Sequence, residues 1–134
     1  MTFAWSCIGQ HSNLVNPARY MTFMGAIAGG GSAAEPYIMA RVENGEEITY
    51  EADVRKTGRI MSQETADAVK TYMRQNTQWV YGDWNFPGLK VCAKSGTSQL
   101  GGGQKSNAMF AGFVDSEEYP LAFMVVVENG GYGS

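Results

Sequence analysis

Four consecutive residues, Lys94-Ser95-Gly96-Thr97, set a cation, two hydroxyls and a position without a side chain next to one another. A lysine and two hydroxyl donors can converge on a carboxylate. The glycine lets another backbone or a ligand come close to the chain. On a strand edge, the N–H groups of such a segment can hold an extended peptide and can also stabilise a developing oxyanion. A solvated strand end would account for the tetrapeptide on its own, so its surroundings decide. Val91-Cys92-Ala93 leads into it as an apolar strand, and two further apolar runs, 110–114 and 122–127, follow a glycine-rich link.

Other candidate chemistry is weaker. His11 is the only histidine and has no ligand cluster beside it, so a surface or loop role is expected. Gly101-Gly102-Gly103-Gln104-Lys105-Ser106 superficially resembles a phosphate-binding loop, but Gln104 stands where that loop needs a glycine before its lysine. Asp83, Asp115, Glu117 and Glu118 read as loop charges, with no paired carboxylates. No metal and no cofactor is implied. Two cysteines, Cys7 and Cys92, make neither a disulfide framework nor a metal site; a bridge between them is conceivable, and two free thiols are the simpler expectation. The net charge of -3 and the scattered Lys and Arg argue against a nucleic-acid partner. No apolar run reaches the roughly 18–20 residues that span a bilayer.

The elements that must position the tetrapeptide can be read from the rest of the 134 residues, 44% of them hydrophobic and 17% charged, which is the composition of one folded domain. Asn16-Pro17 predicts a helix start, with Asn as N-cap and Pro at the first position; Tyr20, Phe23, Met24 and Ile27 recur at helical spacing, and Gly29-Gly30-Gly31 ends it. A hairpin is expected over 37–42 and 46–50 around Asn44-Gly45. A second helix starts at Ser62, shows Ala66, Val69, Tyr72 and Met73 on one face and fades near Asn76. Residues 77–88, rich in Trp, Tyr, Gly and Asp, read as an ordered loop. Three strands, 89–98, 107–115 and 120–128, form an antiparallel meander. The last is apolar without alternation, a pattern of burial on both faces.

Lys94-Ser95-Gly96-Thr97 resembles the K-[ST]-G-T box of the penicillin-binding proteins. Phe110-Ala111-Gly112-Phe113 resembles their F-x-G-F strand, and Val125-Val126-Val127-Glu128 their terminal strand. Upstream, Ile8-Gly9-Gln10, Asn16-Pro17 and Ala28-Gly29-Gly30 follow the family's I-G-Q, T-P and A-N-G-G order. The resemblance runs from about Phe3 to Gly133 and is to the class B transpeptidases. It implies an α+β, β-lactamase/transpeptidase-like fold, here partial: three C-terminal antiparallel strands packed with helices. It also implies roles at matching positions. Lys94 would tune the electrostatics of nucleophile and substrate. Ser95 and Thr97 would bind the carboxylate of a D-Ala-D-Ala stem peptide, or of a β-lactam that mimics it. Gly96 would permit close approach, and the Thr97 N–H would form half of an oxyanion hole. Ser95 departs from the commoner threonine and keeps its hydroxyl.

The family's chemistry also needs S-x-x-K and S-x-N boxes. No serine of this chain has lysine three residues on or asparagine two residues on. Residues 1–134 are therefore expected to be the C-terminal part of one transpeptidase domain, lacking the nucleophile and the closing helix, inactive alone and poorly folded alone. Its expected partners are the upstream part of its own domain or a swapped copy. For the full protein, the resemblance implies peptidoglycan cross-linking, a membrane anchor, an extracytoplasmic location and a glycan-polymerising partner. A β-lactam sensor domain or a serine β-lactamase of the same fold is the alternative.

Overall fold

The computed structural model describes residues 2–7, 9, 10 and 13–133; Ile8, Ser12 and the lone His11 lie outside the described residues. The elements run α1 (Thr2–Cys7), α2 (Pro17–Ala28), β1 (Arg41–Asn44), β2 (Glu47–Glu51), α3 (Gln63–Asn76), β3 (Val91–Ser98), β4 (Asn107–Val114) and β5 (Ala122–Val127).

The two main helices begin where their caps dictate. The Asn16 carboxamide oxygen accepts from the N–H groups of Ala18 and Arg19 at 3.0 and 3.2 Å, and Pro17 opens α2. The Ser62 hydroxyl accepts from Thr65 N–H at 3.1 Å at the start of α3. The glycine stop after α2 is needed for space as well as conformation: Gly31 has φ +114°, and a Cβ there would strike the Met61 carbonyl. Short α1 shows no periodicity in the sequence and was not foreseen.

β4 is the centre of a three-stranded antiparallel sheet of order β3-β4-β5. Lys94 pairs Ala111, Ser95 pairs Phe110, Gly96 pairs Met109 and Thr97 pairs Ala108. Alternation splits the sheet into two faces. Cys92, Ala111 and Phe113 face α2 and α3 and form a core with Met24, Ile27 and Met73. Val91, Ala93 and Val114 form the other cluster, under Tyr81, Phe86, Phe110 and Phe123. The hairpin β1–β2 is exposed throughout.

Several expectations shift. The expected loop at 77–88 is helical in part: α3 runs on into a π-helical turn (Thr77–Tyr81), and a 3₁₀ turn (Asp83–Asn85) follows. Tyr72 is 69% exposed rather than on the buried face of α3. At 100° per residue, Ala66, Val69 and Met73 cluster while Tyr72 lies about a quarter of a turn from their mean direction. β5 is not buried on both faces. Only β4 pairs it, α2 covers its first half, and Val125, Val126 and Val127 are 50%, 41% and 52% exposed.

Both cysteines are free, Cys7 exposed and Cys92 buried. Burial, with the charge of Asp115 adding to it, pushes the Cys92 thiol up to about 11. Iodoacetamide at pH 8 is therefore expected to alkylate Cys7 alone on the native chain and Cys92 only after denaturant is added. Peptide mass mapping checks this, and native labelling of Cys92 would contradict the packing.

Candidate functional site

β3 is an edge strand, and the side chains along its open edge define the site. The N–H of Ala93 donates to the buried Thr77 hydroxyl (3.1 Å), which itself donates to Met73 C=O at the end of α3 (3.2 Å). Ala93 C=O accepts from the Asn76 side chain (3.0 Å). Ser95 N–H donates to the Tyr81 phenol oxygen (2.7 Å), and the Tyr81 O–H donates to Ser95 Oγ (2.9 Å). Ser95 C=O accepts from Lys94 Nζ (2.8 Å). Thr97 C=O accepts from the Gln10 side chain (2.7 Å), whose Oε1 receives Gln99 N–H at 3.5 Å. These are all groups of odd-numbered residues, because alternate residues of an edge strand turn their N–H and C=O outward. The same period turns the Thr97 N–H outward. From Ala93 to Gln99 it is the one outward N–H for which no described residue supplies an acceptor.

The four predicted residues thus come together at one edge, on two faces. Ser95 and Thr97 lie on the aromatic face, partly buried, and the Thr97 hydroxyl accepts from Gly133 N–H of the C-terminal tail (3.1 Å). Lys94 and Gly96 lie on the helix face, and the exposed Lys94 ammonium folds round the edge to Ser95 C=O. A Cβ on Gly96 would meet only the Met109 side chain, at 3.3 Å from its flexible Cε end and at an ordinary 3.6 Å from its Cβ, so the chain's own packing does not demand glycine there. The glycine-rich link is a plain turn between β3 and β4, with Gly101 C=O accepting from Gln104 N–H (3.0 Å), and no helix follows it as a phosphate loop requires.

Tyr81, Thr77 and Gly133 were not foreseen as parts of the site. They meet β3 across chain separations of 14, 16 and 36 residues, and no linear pattern announces them. The Tyr81 ring is held edge-on against Phe110, centroids 5.2 Å apart. Burial works to raise its pKa, but its hydrogen bonds to Ser95 and Asn76 and the Lys94 charge outweigh burial and hold the phenol below the ordinary tyrosine range.

The loop carrying Tyr81 is anchored by Arg74, which grips Asp83 through two bonds of 2.6 Å and also reaches Val91 C=O (3.0 Å). The hydrogen bonds and charge of Arg74 lower the Asp83 pKa from its ordinary 3.8. A carboxylate depressed on folding stabilises above its unfolded pKa and loses that contribution as pH falls through the folded value. The melting temperature is expected to fall in acid below pH 3.8, and Asp83→Asn should flatten that limb; an unchanged acid limb in the variant would refute the assignment.

Among the described residues no helix is long and apolar enough to cross a membrane, and no group of three His, Cys, Asp or Glu could hold a metal. No curated protein matches the chain. Among solved structures, penicillin-binding protein A from Mycobacterium tuberculosis is similar with a TM-score of 0.79 and 21% identity, over 96% of this chain and 30% of that one. Its imipenem acyl-enzyme complex gives a TM-score of 0.84 at 22% identity, over 95% and 29%. The D,D-transpeptidase domain of a peptidoglycan glycosyltransferase from Eggerthella lenta gives 0.72 at 26% identity, over 84% and 27%. The chain therefore spans under a third of the length of these relatives. They share its α+β fold, as the resemblance of its motifs implied. The family model for the penicillin-binding protein transpeptidase domain matches residues 2–134, and the chain belongs to that family.

Proposed function

We propose that β3 is the carboxylate-binding and oxyanion strand of a peptidoglycan D,D-transpeptidase, in a chain that contains no nucleophile of its own. The observation that carries this reading is the outward N–H of Thr97, the one between Ala93 and Gln99 that finds no acceptor among the described residues, standing beside two hydroxyls and a lysine. A saturated edge does not take up a peptide along its length, as strand addition needs a row of free groups. The free Thr97 N–H, flanked by occupied positions at Ser95 and Gln99, is instead the provision for one developing negative charge. Ser95 and Thr97 offer hydroxyl protons to the terminal carboxylate of a D-Ala-D-Ala stem peptide, or of a β-lactam. Lys94 supplies the neighbouring positive charge, and Gly96 lets the ligand come close to the strand.

The reaction is acyl transfer. A serine oxygen attacks the carbonyl of the penultimate D-alanine, the tetrahedral oxyanion is stabilised by the Thr97 N–H and a second donor, and the terminal D-alanine leaves with the serine proton. An amine of a second stem peptide then takes the acyl group. The serine would belong to an S-x-x-K segment, which the sequence of this chain does not contain. In the full protein we place the site outside the cytoplasm on a membrane-anchored chain that works beside a glycan polymerase. That M. tuberculosis penicillin-binding protein A forms an acyl-enzyme with imipenem supports the chemistry proposed here.

Intact-mass analysis after incubation with penicillin G tests the missing nucleophile. The chain alone is expected to gain no adduct, and adding an upstream segment with an S-x-x-K box is expected to give one adduct on that segment's serine. An adduct on a serine of this chain would overturn the assignment.

A further inference from the structure

We infer that Tyr81 is a positioning residue that makes the Ser95 hydroxyl a committed donor towards a bound carboxylate; the inference rests on the carboxylate-site reading of β3. A serine hydroxyl has one proton and can turn it in any of several directions. Here the Tyr81 oxygen accepts Ser95 N–H at 2.7 Å, and the Tyr81 proton goes to Ser95 Oγ at 2.9 Å. A phenol is much the stronger acid of the two hydroxyls, so the phenol donates and Ser95 Oγ accepts. The Ser95 proton is then free to point away from Tyr81. Each bond in such a chain polarises the next, which strengthens the last donor.

The phenol is itself fixed on two sides. Its ring stands edge-on to Phe110, the β4 partner of Ser95, and its backbone lies in the turn that continues α3. It sits at the point of the edge next to the free Thr97 N–H, so a ligand that engages Thr97 meets a Ser95 proton already turned outward. Tyr81 touches no ligand in this scheme and acts through Ser95 alone.

The test is an amide-shift titration of the wild-type chain, Tyr81→Phe, Ser95→Ala and the double variant with N-acetyl-D-Ala-D-Ala, beside its C-terminal amide. In the wild type, saturable shifts at Ser95 and Thr97 are expected. Tyr81→Phe keeps the ring packing and is expected to weaken carboxylate binding about fivefold to tenfold, the size of one hydrogen bond of ordinary strength, with little change for the amide. The double variant should bind no more weakly than Ser95→Ala. Equal loss from Tyr81→Phe with and without the Ser95 hydroxyl, or no loss at all, would overturn the positioning role while leaving the carboxylate site intact. Absence of saturable shifts in the wild type would overturn the carboxylate reading and the inference with it. Should Tyr81→Phe fail to fold, the Tyr81 Cζ shift of the wild type decides: it must move on ligand binding and stay still in Ser95→Ala, and a shift that ignores Ser95 refutes the role.

Discussion

Gly112→Ala is expected to destabilise the chain by roughly 3 kcal/mol or more, at or beyond the upper end of the usual overpacking range. Gly112 is buried in β4 directly opposite Ala93. A Cβ there would lie 2.8 Å from Ala93 Cα and 2.9 Å from Ala93 Cβ, and would strike the Cys92 carbonyl. Those are backbone atoms, or a methyl bound directly to backbone, so no side chain can swing aside. β3 would have to leave β4, and the Thr77 and Asn76 bonds that hold Ala93 on the other side oppose that movement. A loss of this size is a large share of the 5–15 kcal/mol typical of a domain. Gly96→Ala is the control, on the same two strands three residues along β3 from Ala93. Only the Met109 side chain stands over it, its flexible Cε end at 3.3 Å and its Cβ at an ordinary 3.6 Å, so stability should change by no more than about 1 kcal/mol. Chemical denaturation of the two variants compares them. Similar midpoints would show that the Gly112 contact is not the constraint described.

The second large effect concerns turnover. In a domain that also supplies the S-x-x-K segment, Thr97→Pro is expected to slow acylation by penicillin G about 10²–10³-fold, the usual consequence of losing one oxyanion donor. Proline removes the outward N–H and leaves the ladder to β4 untouched, since the inward groups belong to the even-numbered neighbours; a strand edge is where proline is tolerated. Thr97→Ala separates the N–H from the hydroxyl. It keeps the donor, loses the contact with Gly133 N–H, and is expected to fall mainly in apparent affinity. Stopped-flow acylation kinetics would measure both. A Thr97→Pro rate near wild type would remove the Thr97 N–H from the oxyanion hole.

Much of this was legible in the sequence, and the limits of what was legible are physical. Caps are local chemistry, so Asn16-Pro17 and Ser62 marked their helices to the residue. The three strands were found within about two residues of their ends, because apolar runs bounded by Gly101-Gly102-Gly103 and Ser116-Glu117-Glu118 leave little choice. The proposed K-S-G-T site was readable because its groups are consecutive. What stabilises that site was not. Tyr81 and Thr77 sit in a segment whose composition says only that it is ordered, and their value comes from where the π-helical turn carries them. Likewise the exposure of Val125–Val127 could not be read from an apolar run, since β5 has the composition of a central strand and the position of an edge.

The Thr97 amide gives the most direct test of the account. In a ¹H–¹⁵N titration with N-acetyl-D-Ala-D-Ala, its resonance is expected to move saturably together with Ser95, and to move far less with the C-terminal amide of the same peptide. A Thr97 amide indifferent to the ligand, or equally responsive to acid and amide, would contradict the claim that this edge of β3 is a carboxylate and oxyanion site.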